Sequence, residues 1–207
     1  MKTGAVIVAA GMSSRMNAFK PLLALCGSTM IGTAISSLRA AGVSEIAVVT
    51  GNRAEELERA LAGTGVFCLY NERYETSDMF CSAGIGLRYL KDRCGRVFFL
   101  PCDVPLFSPK SLLRMQEKMD GGCEIALPMQ GGKMGHPILL SSRAIPFLTD
   151  FAGGGGLKGA IDRYPGRKET IELDDTGMLL DADRPEEYER LKEYARRRLD
   201  DTDAADV

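Results

Sequence analysis

Short apolar runs rich in β-branched residues recur along the chain with amphipathic stretches between them, at 5–10, 45–50, 66–70, 97–101, 124–129 and 137–140. Runs of this length bounded by turn formers read as buried strands. Between the first two, Met30, Ile31, Ala34, Ile35 and Leu38 recur at spacings of three and four and stop before Gly42, which predicts a helix closed by a left-handed residue. Asn52 is placed to cap a second helix, with Ala54, Leu57 and Leu61 on one face before Gly63. Ser108 and Pro109 form a cap and first-turn pair for a helix through about Met119. Strands alternating with helices predict a three-layer α/β/α fold with a mostly parallel sheet covered on both faces.

The 207 residues fit a single domain over 1–199, with a disordered tail over 200–207, whose sequence DDTDAADV has little to bury. The segment beginning at Pro185, PEEYERLKEYARRRL, reads as a charged packing helix with Glu186/Arg190 and Glu193/Arg197 pairs. Twenty-six basic against 28 acidic side chains leave a charge of −2, so nucleic acid is a poor partner. The first apolar run is too short for a signal peptide or a membrane span. Six cysteines without a C-x-x-C pair, beside one histidine, argue against zinc or iron–sulfur ligation and point to reduced thiols in the cytoplasm. The 23 glycines direct attention to places where backbone turns sharply or approaches a ligand. The run 153–156 is one of these, read as a linker, a tight loop or a flap over a site.

The first strand runs into Ala10-Gly11-Met12-Ser13-Ser14-Arg15, with Lys20 and Pro21 shortly after. A small-residue turn there leaves backbone N–H groups free at the carboxyl end of the sheet, where open α/β folds bind ligands. Arg15 and Lys20 make it an anion site suited to a triphosphate, and a loop with scattered surface charges is the plain alternative. Neither G-x-x-x-x-G-K-[ST] nor G-x-G-x-x-G is present, and the second strand ends at Thr50-Gly51 without the acid that would hold a dinucleotide's ribose. Asp103 follows an apolar strand and precedes a turn. Its carboxylate there suits Mg2+ shared with phosphate oxygens, or a simple turn or cap.

The segments A-A-G-x-S-S-R-M and K-x-L-L resemble the signature of the MobA-like nucleotidyltransferases, within the glycosyltransferase-A-like group. The resemblance continues at Leu100-Pro101-Cys102-Asp103-Val104-Pro105, at Gly135-His136-Pro137 and at Asp181-Ala182-Asp183-Arg184-Pro185-Glu186, and covers roughly residues 4–190. The G-H-P is similar to that of the molybdenum cofactor cytidylyltransferase branch. Residues 71–82 resemble the family's base-reading N-P-x-Y-x-x-G-M-x-x-S, with Glu72 in place of proline and Asp78 in place of glycine. Read locally, Ser77 or Asp78 caps a helix running to about Arg93. Residues 153–160 correspond to a G-D-x-G-A-R-like segment without its Asp and Arg.

The resemblance implies a glycosyltransferase-A-like nucleotidyltransferase fold in which Ala10, Gly11, Met12, Ser13, Ser14, Arg15 and Lys20 hold phosphates. Asn71, Met79 and Ser82 then read base and sugar, and Lys20, Arg15 and Asp103 form the catalytic set. Asp103 and Asp183 would bind Mg2+, with Asp181 in reserve, although Asp183 also fits a cap before the Pro185 helix. His136, otherwise a packed structural histidine, and Lys158 would face the acceptor. The implied reaction moves CMP from CTP to a phosphorylated pterin acceptor with release of pyrophosphate, and a molybdoenzyme or maturation protein is the implied partner. Guanylyl transfer, sugar-phosphate nucleotidyl transfer and a non-catalytic nucleotide-binding module remain the alternatives.

Overall fold

The computed structural model describes residues 1–12, 16 and 18–205, with side chains described through Arg198. Ser13, Ser14 and Arg15, expected in the phosphate loop, lie outside the described residues. An eight-stranded sheet organises the fold. Its central strands are β1 (Thr3–Val8), β4 (Glu45–Thr50) and β6 (Arg96–Pro101), with β1 parallel to both neighbours. Next to β4 lies β5 (Phe67–Tyr70), parallel to it. On the other side come β9 (Ile138–Ser141), antiparallel to β6, then β7 (Ile125–Gln130) and the edge strand β10 (Lys168–Glu172). The short β8 (Lys133–Met134) folds back on β7, and β2 (Ala24–Leu25) with β3 (Ser28–Thr29) forms a separate hairpin.

Strand alternation sends side chains to two apolar layers. Ala5, Ile7 and Ala9 face α1 (Met30–Ala40), α2 (Ala54–Leu61) and α4 (Pro109–Asp120), packing with Ile31, Leu57 and Leu112. Val6 and Val8 face α3 (Met79–Leu90), α5 (Ala144–Thr149) and α6 (Gly156–Arg163), packing with Leu87, Leu148 and Ile161. The approach of α3 to the sheet depends on Gly86, where a Cβ would stand 2.5 Å from Val6 Cγ1. A third cluster seats Leu191 and Ala195 of α7 (Pro185–Ala205) against Leu25, Met30 and Leu106. The backbone of α7 continues to Ala205, into the segment 200–207 expected to be a disordered tail; residues 206 and 207 lie outside the described residues.

Six strands and the helices around them fall where the sequence places them, and the mostly parallel, doubly covered sheet is the expected fold class. One cap is corrected. Arg53, at φ 54°, begins α2 without a side-chain cap, and Asn52 Nδ2 instead lies 3.5 Å from the Met12 carbonyl. The Asn52 side chain therefore ties the second strand's exit to the first loop. Ser108 and Asp78 do cap, accepting from Ser111 N at 3.1 Å and Cys81 N at 2.9 Å.

Candidate active site

Within the main sheet, the chain passes from β1 to β4 on one side and later returns to β6 on the other, so the carboxyl end of β1 is a topological switch point where α/β sheets bind ligands. There the turn leaving β1 is fixed from both sides: Ala9 N–H donates to Val49 O at 2.9 Å and Cys102 N–H donates to Val8 O at 3.0 Å. Gly51, at the end of β4, lets the turn come close. A Cβ on it would lie 2.7 Å from Ala10 O and 2.6 Å from Tyr74 Cβ. Sequence reasoning noted Thr50-Gly51 only as the absence of a ribose acid; its closeness to the turn was the missed signal.

A cavity of about 170 Å3 opens here, lined among others by Ala10, Gly11, Lys20, Met79, Ser82 and Asp103. Six of the residues expected to bind nucleotide or metal thus lie on one wall. Pro21 and Tyr74 on the same wall were not expected to bind, and Ser77 and Asp78, expected in the base-reading segment or as a helix cap, line it as well. Asn71 and Met12 are not among the lining residues. Buried Asn71 instead donates through Nδ2 to Ser77 Oγ at 3.0 Å and Ser82 Oγ at 2.9 Å, and accepts from Arg73 N at 3.0 Å. That amide fixes the loop between β5 and α3, and so orients Ser82 rather than presenting itself to a base.

Lys20 joins the site's distant parts. It opens a short 3-10 turn (Lys20–Leu22) after the first loop, and its buried ammonium donates to Asp183 Oδ1 at 2.6 Å and Asp103 Oδ2 at 3.3 Å. Burial works against the charge on Lys20. The hydrogen bond to Asp183 and the charges of Asp103 and Asp183 outweigh it, so its pKa lies above the ordinary 10.5. The Asp181 carboxyl is raised, first by burial and then by the negative charges of Asp103, Glu187 and Asp183. Asp103 and Asp183 thus share one lysine, and their charges also reach Asp181. Glu187 also accepts from the backbone N–H groups of Asp183 and Arg184, at 2.8 and 2.9 Å, which closes the entry to α7.

A second cavity, of about 390 Å3, adjoins the first and shares Asp78 and Met79 with it. His136 and Lys158 both line it. His136 is set by its N–H donating to Met178 O at 2.9 Å, and its ring meets Phe99 edge-on at 5.9 Å. Burial pushes the His136 pKa below 6.5 against a backbone hydrogen bond at Phe99 and the charge of Asp103, so the imidazole is neutral near pH 7. Lys158 pairs with Asp162 at 2.8 Å, one turn on along α6.

Two oxygen-only carboxylates beside an open cavity suit a hard divalent ion that takes its other ligands from phosphate and water. Among the described residues, no three His, Cys, Asp or Glu side chains gather as a self-contained metal cage. Asp103 and Asp183 fit the shared kind of site, with Lys20 now occupying the space between them.

A glycine turn, a buried ammonium and paired carboxylates at a sheet's switch point define a nucleotide-binding α/β domain suited to phosphoryl chemistry. Residues 5–169 match the MobA-like NTP transferase domain, and the chain belongs to that family of nucleotidyltransferases. A Bifunctional protein GlmU from Pelotomaculum thermopropionicum is 32% identical over 117 residues, 56% of this chain and 25% of that protein. The chain thus spans about a quarter of the length of such curated relatives. Among solved structures, the Methanothermobacter nucleotidyl transferase Mth528 superposes with a TM-score of 0.81 at 24% identity, covering 95% of this chain and 98% of that one. Rv0371C of Mycobacterium tuberculosis, in complex with manganese, gives 0.73 at 23% identity over 93% and 99%. These two share the fold. No helix among the described residues is long and apolar enough to cross a membrane.

Proposed function

We propose that the protein transfers CMP from CTP to the phosphate of a pterin of the molybdenum cofactor type, in the cytoplasm, for delivery to a molybdoenzyme or maturation partner. The observation that carries the reading is the Lys20 bridge to Asp103 and Asp183, at the wall of the cavity of about 170 Å3 that adjoins a second one. An acceptor phosphate oxygen attacks the α-phosphorus, the bond from that phosphorus to the bridging oxygen breaks, and pyrophosphate leaves with the electron pair. A phosphate monoester with a second pKa of about 6 is already ionised near neutral pH, so no general base is needed. Catalysis is then positioning and charge stabilisation, with Lys20 and the turn at Ala10 and Gly11 on the phosphates. Arg15 joins them in this reading.

Asp103 and Asp183 would hold a divalent ion, Mg2+ in this reading; when bound, it supplies neutralisation of the triphosphate's charge. The manganese reported with Rv0371C supports a divalent ion. Met79, on the shared wall and 54% exposed, and Ser82 beside it would meet the base. A side chain of that length leaves more room for a pyrimidine than for a purine. The test is pyrophosphate release with each of the four triphosphates, Mg2+ and a pterin phosphate, beside thermal shifts with each triphosphate. Release with CTP alone, and the largest shift with CTP, are expected. A larger GTP response would move the reading to guanylyl transfer.

A further inference from the structure

The larger cavity has a wall unlike its rim. Phe80, Phe99, Leu127, Ile138, Leu157 and Ile161 supply apolar surface from one strand or helix after another. Leu157 and Ile161 stand one turn apart on α6, so a single helix face closes that side. The charged groups that reach the cavity are exposed: the side chains of Lys158 and Asp162 are 73% and 58% accessible and pair with each other, and Asp78 sits at the junction with the smaller cavity. A bound body would thus meet mostly hydrocarbon and aromatic faces within, with the neutral imidazole of His136 as a polar group on the wall, and charge at the edge.

Resting on the reading that a triphosphate occupies the smaller cavity, we propose that Leu157 and Ile161 determine acceptor specificity. They make the larger cavity a seat for a flat aromatic ring system whose phosphate points to the junction with the smaller cavity, and they turn away polyhydroxylated sugar phosphates. The physical cause is asymmetric. Ring carbons leaving water for the Leu157 and Ile161 face gain from burial, whereas sugar hydroxyls placed there lose water and find few partners.

The experiment is calorimetric binding of 4-methylumbelliferyl phosphate and of glucosamine 1-phosphate, with CTP titrated separately. The planar ester is expected to bind at least about tenfold tighter than the sugar ester, and Leu157→Asn to weaken it by about tenfold, the scale of losing a buried branched side chain's contact. CTP affinity should stay within about twofold, because Leu157 lines only the larger cavity. Leu157→Met keeps an apolar wall and should keep the preference. Equal or tighter binding of glucosamine 1-phosphate by the unaltered protein overturns the proposal, and that comparison stands even where a variant fails to fold. CTP binding without preference for the planar ester overturns the apolar seat alone. The ester preference without CTP binding supports the seat and overturns the transfer reading.

Discussion

Replacing Lys20 by methionine separates two roles of one ammonium. The side chain is 9% accessible and meets Asp183, itself 43% accessible, at 2.6 Å and Asp103, 20% accessible, at 3.3 Å. Breaking a buried pair costs about 3–5 kcal/mol, but an exposed one only about 0–1. The Asp183 arm is screened by its exposure and falls near the lower figure, and the longer Asp103 arm lies between. Methionine keeps most of the stem's packing, so a net loss of about 2 kcal/mol is expected, or a fall in Tm of about 4–8 °C for a chain of this size. The pH dependence has a definite sign. Because the folded pKa of Lys20 lies above 10.5, its stabilisation is complete below that value and disappears as pH rises through the folded pKa. The difference between the two proteins should thus persist from near neutrality to about pH 10 and close beyond it.

The same variant should bind Mn2+ more tightly while losing CTP affinity and turnover. The two carboxylates lose a competing cation, and the triphosphate loses a ligand. Thermal melts from pH 7 to 11, with calorimetry of Mn2+ and of CTP, read all three effects. An unchanged Tm together with unchanged CTP affinity refutes the idea that the bridge is part of the site.

Asp103→Asn should keep a native circular dichroism spectrum and lower kcat by about 10²-fold or more, as removal of a preorganised charge does. Activity within a factor of a few in a folded variant would sink the metal assignment. Asp78→Ala removes the α3 cap and should cost about 1 kcal/mol in a urea melt. An unaltered midpoint would mean that the cap contributes nothing. Gly51→Ala places a methyl against Ala10 O and Tyr74, so CTP should bind more weakly even where the fold survives, which calorimetry checks.

What was legible in the sequence follows from what burial imposes. The strands β1, β4 and β6 are covered on both faces, so their middle positions are apolar (Ala5–Val8, Ile46–Val49, Val97–Leu100) and the run itself marks the strand, while Thr3, Glu45 and Arg96 stand at the ends. Asp103 was visible because it stands just past such a run, and Lys20 because it is a cation following the small-residue turn after the first one. The edge strand β10, KETIE, carries one buried residue and reads as a charged loop, and the short α5 carries no capping side chain to announce it. The arrangement of the site was least legible. The contacts from Lys20 to Asp103 and Asp183 span 83 and 163 residues, and no local spacing records that one ammonium satisfies both. Likewise, Leu157 and Ile161 look like an ordinary helix stripe until they are seen to line one cavity with Phe80 and Phe99.

The charge around Lys20 carries one more consequence. Burial, and after it the charges of Asp103, Glu187 and Asp183, raise the Asp181 pKa, and a triphosphate brought here meets the field of these acids. Lys20 cannot relieve it alone, since it is already paired with two of the four acids. Nucleotide binding and divalent-cation binding should therefore be coupled, each strengthening the other by the same factor. CTP affinity measured with EDTA should be at least about tenfold weaker than with Mg2+ in excess, a coupling of about 1.4 kcal/mol or more. Cytidine, which carries no phosphate, should bind equally in both conditions. If CTP binds as tightly in EDTA as in Mg2+, the acids do not face the triphosphate, and the phosphate assignment of this cavity fails with them.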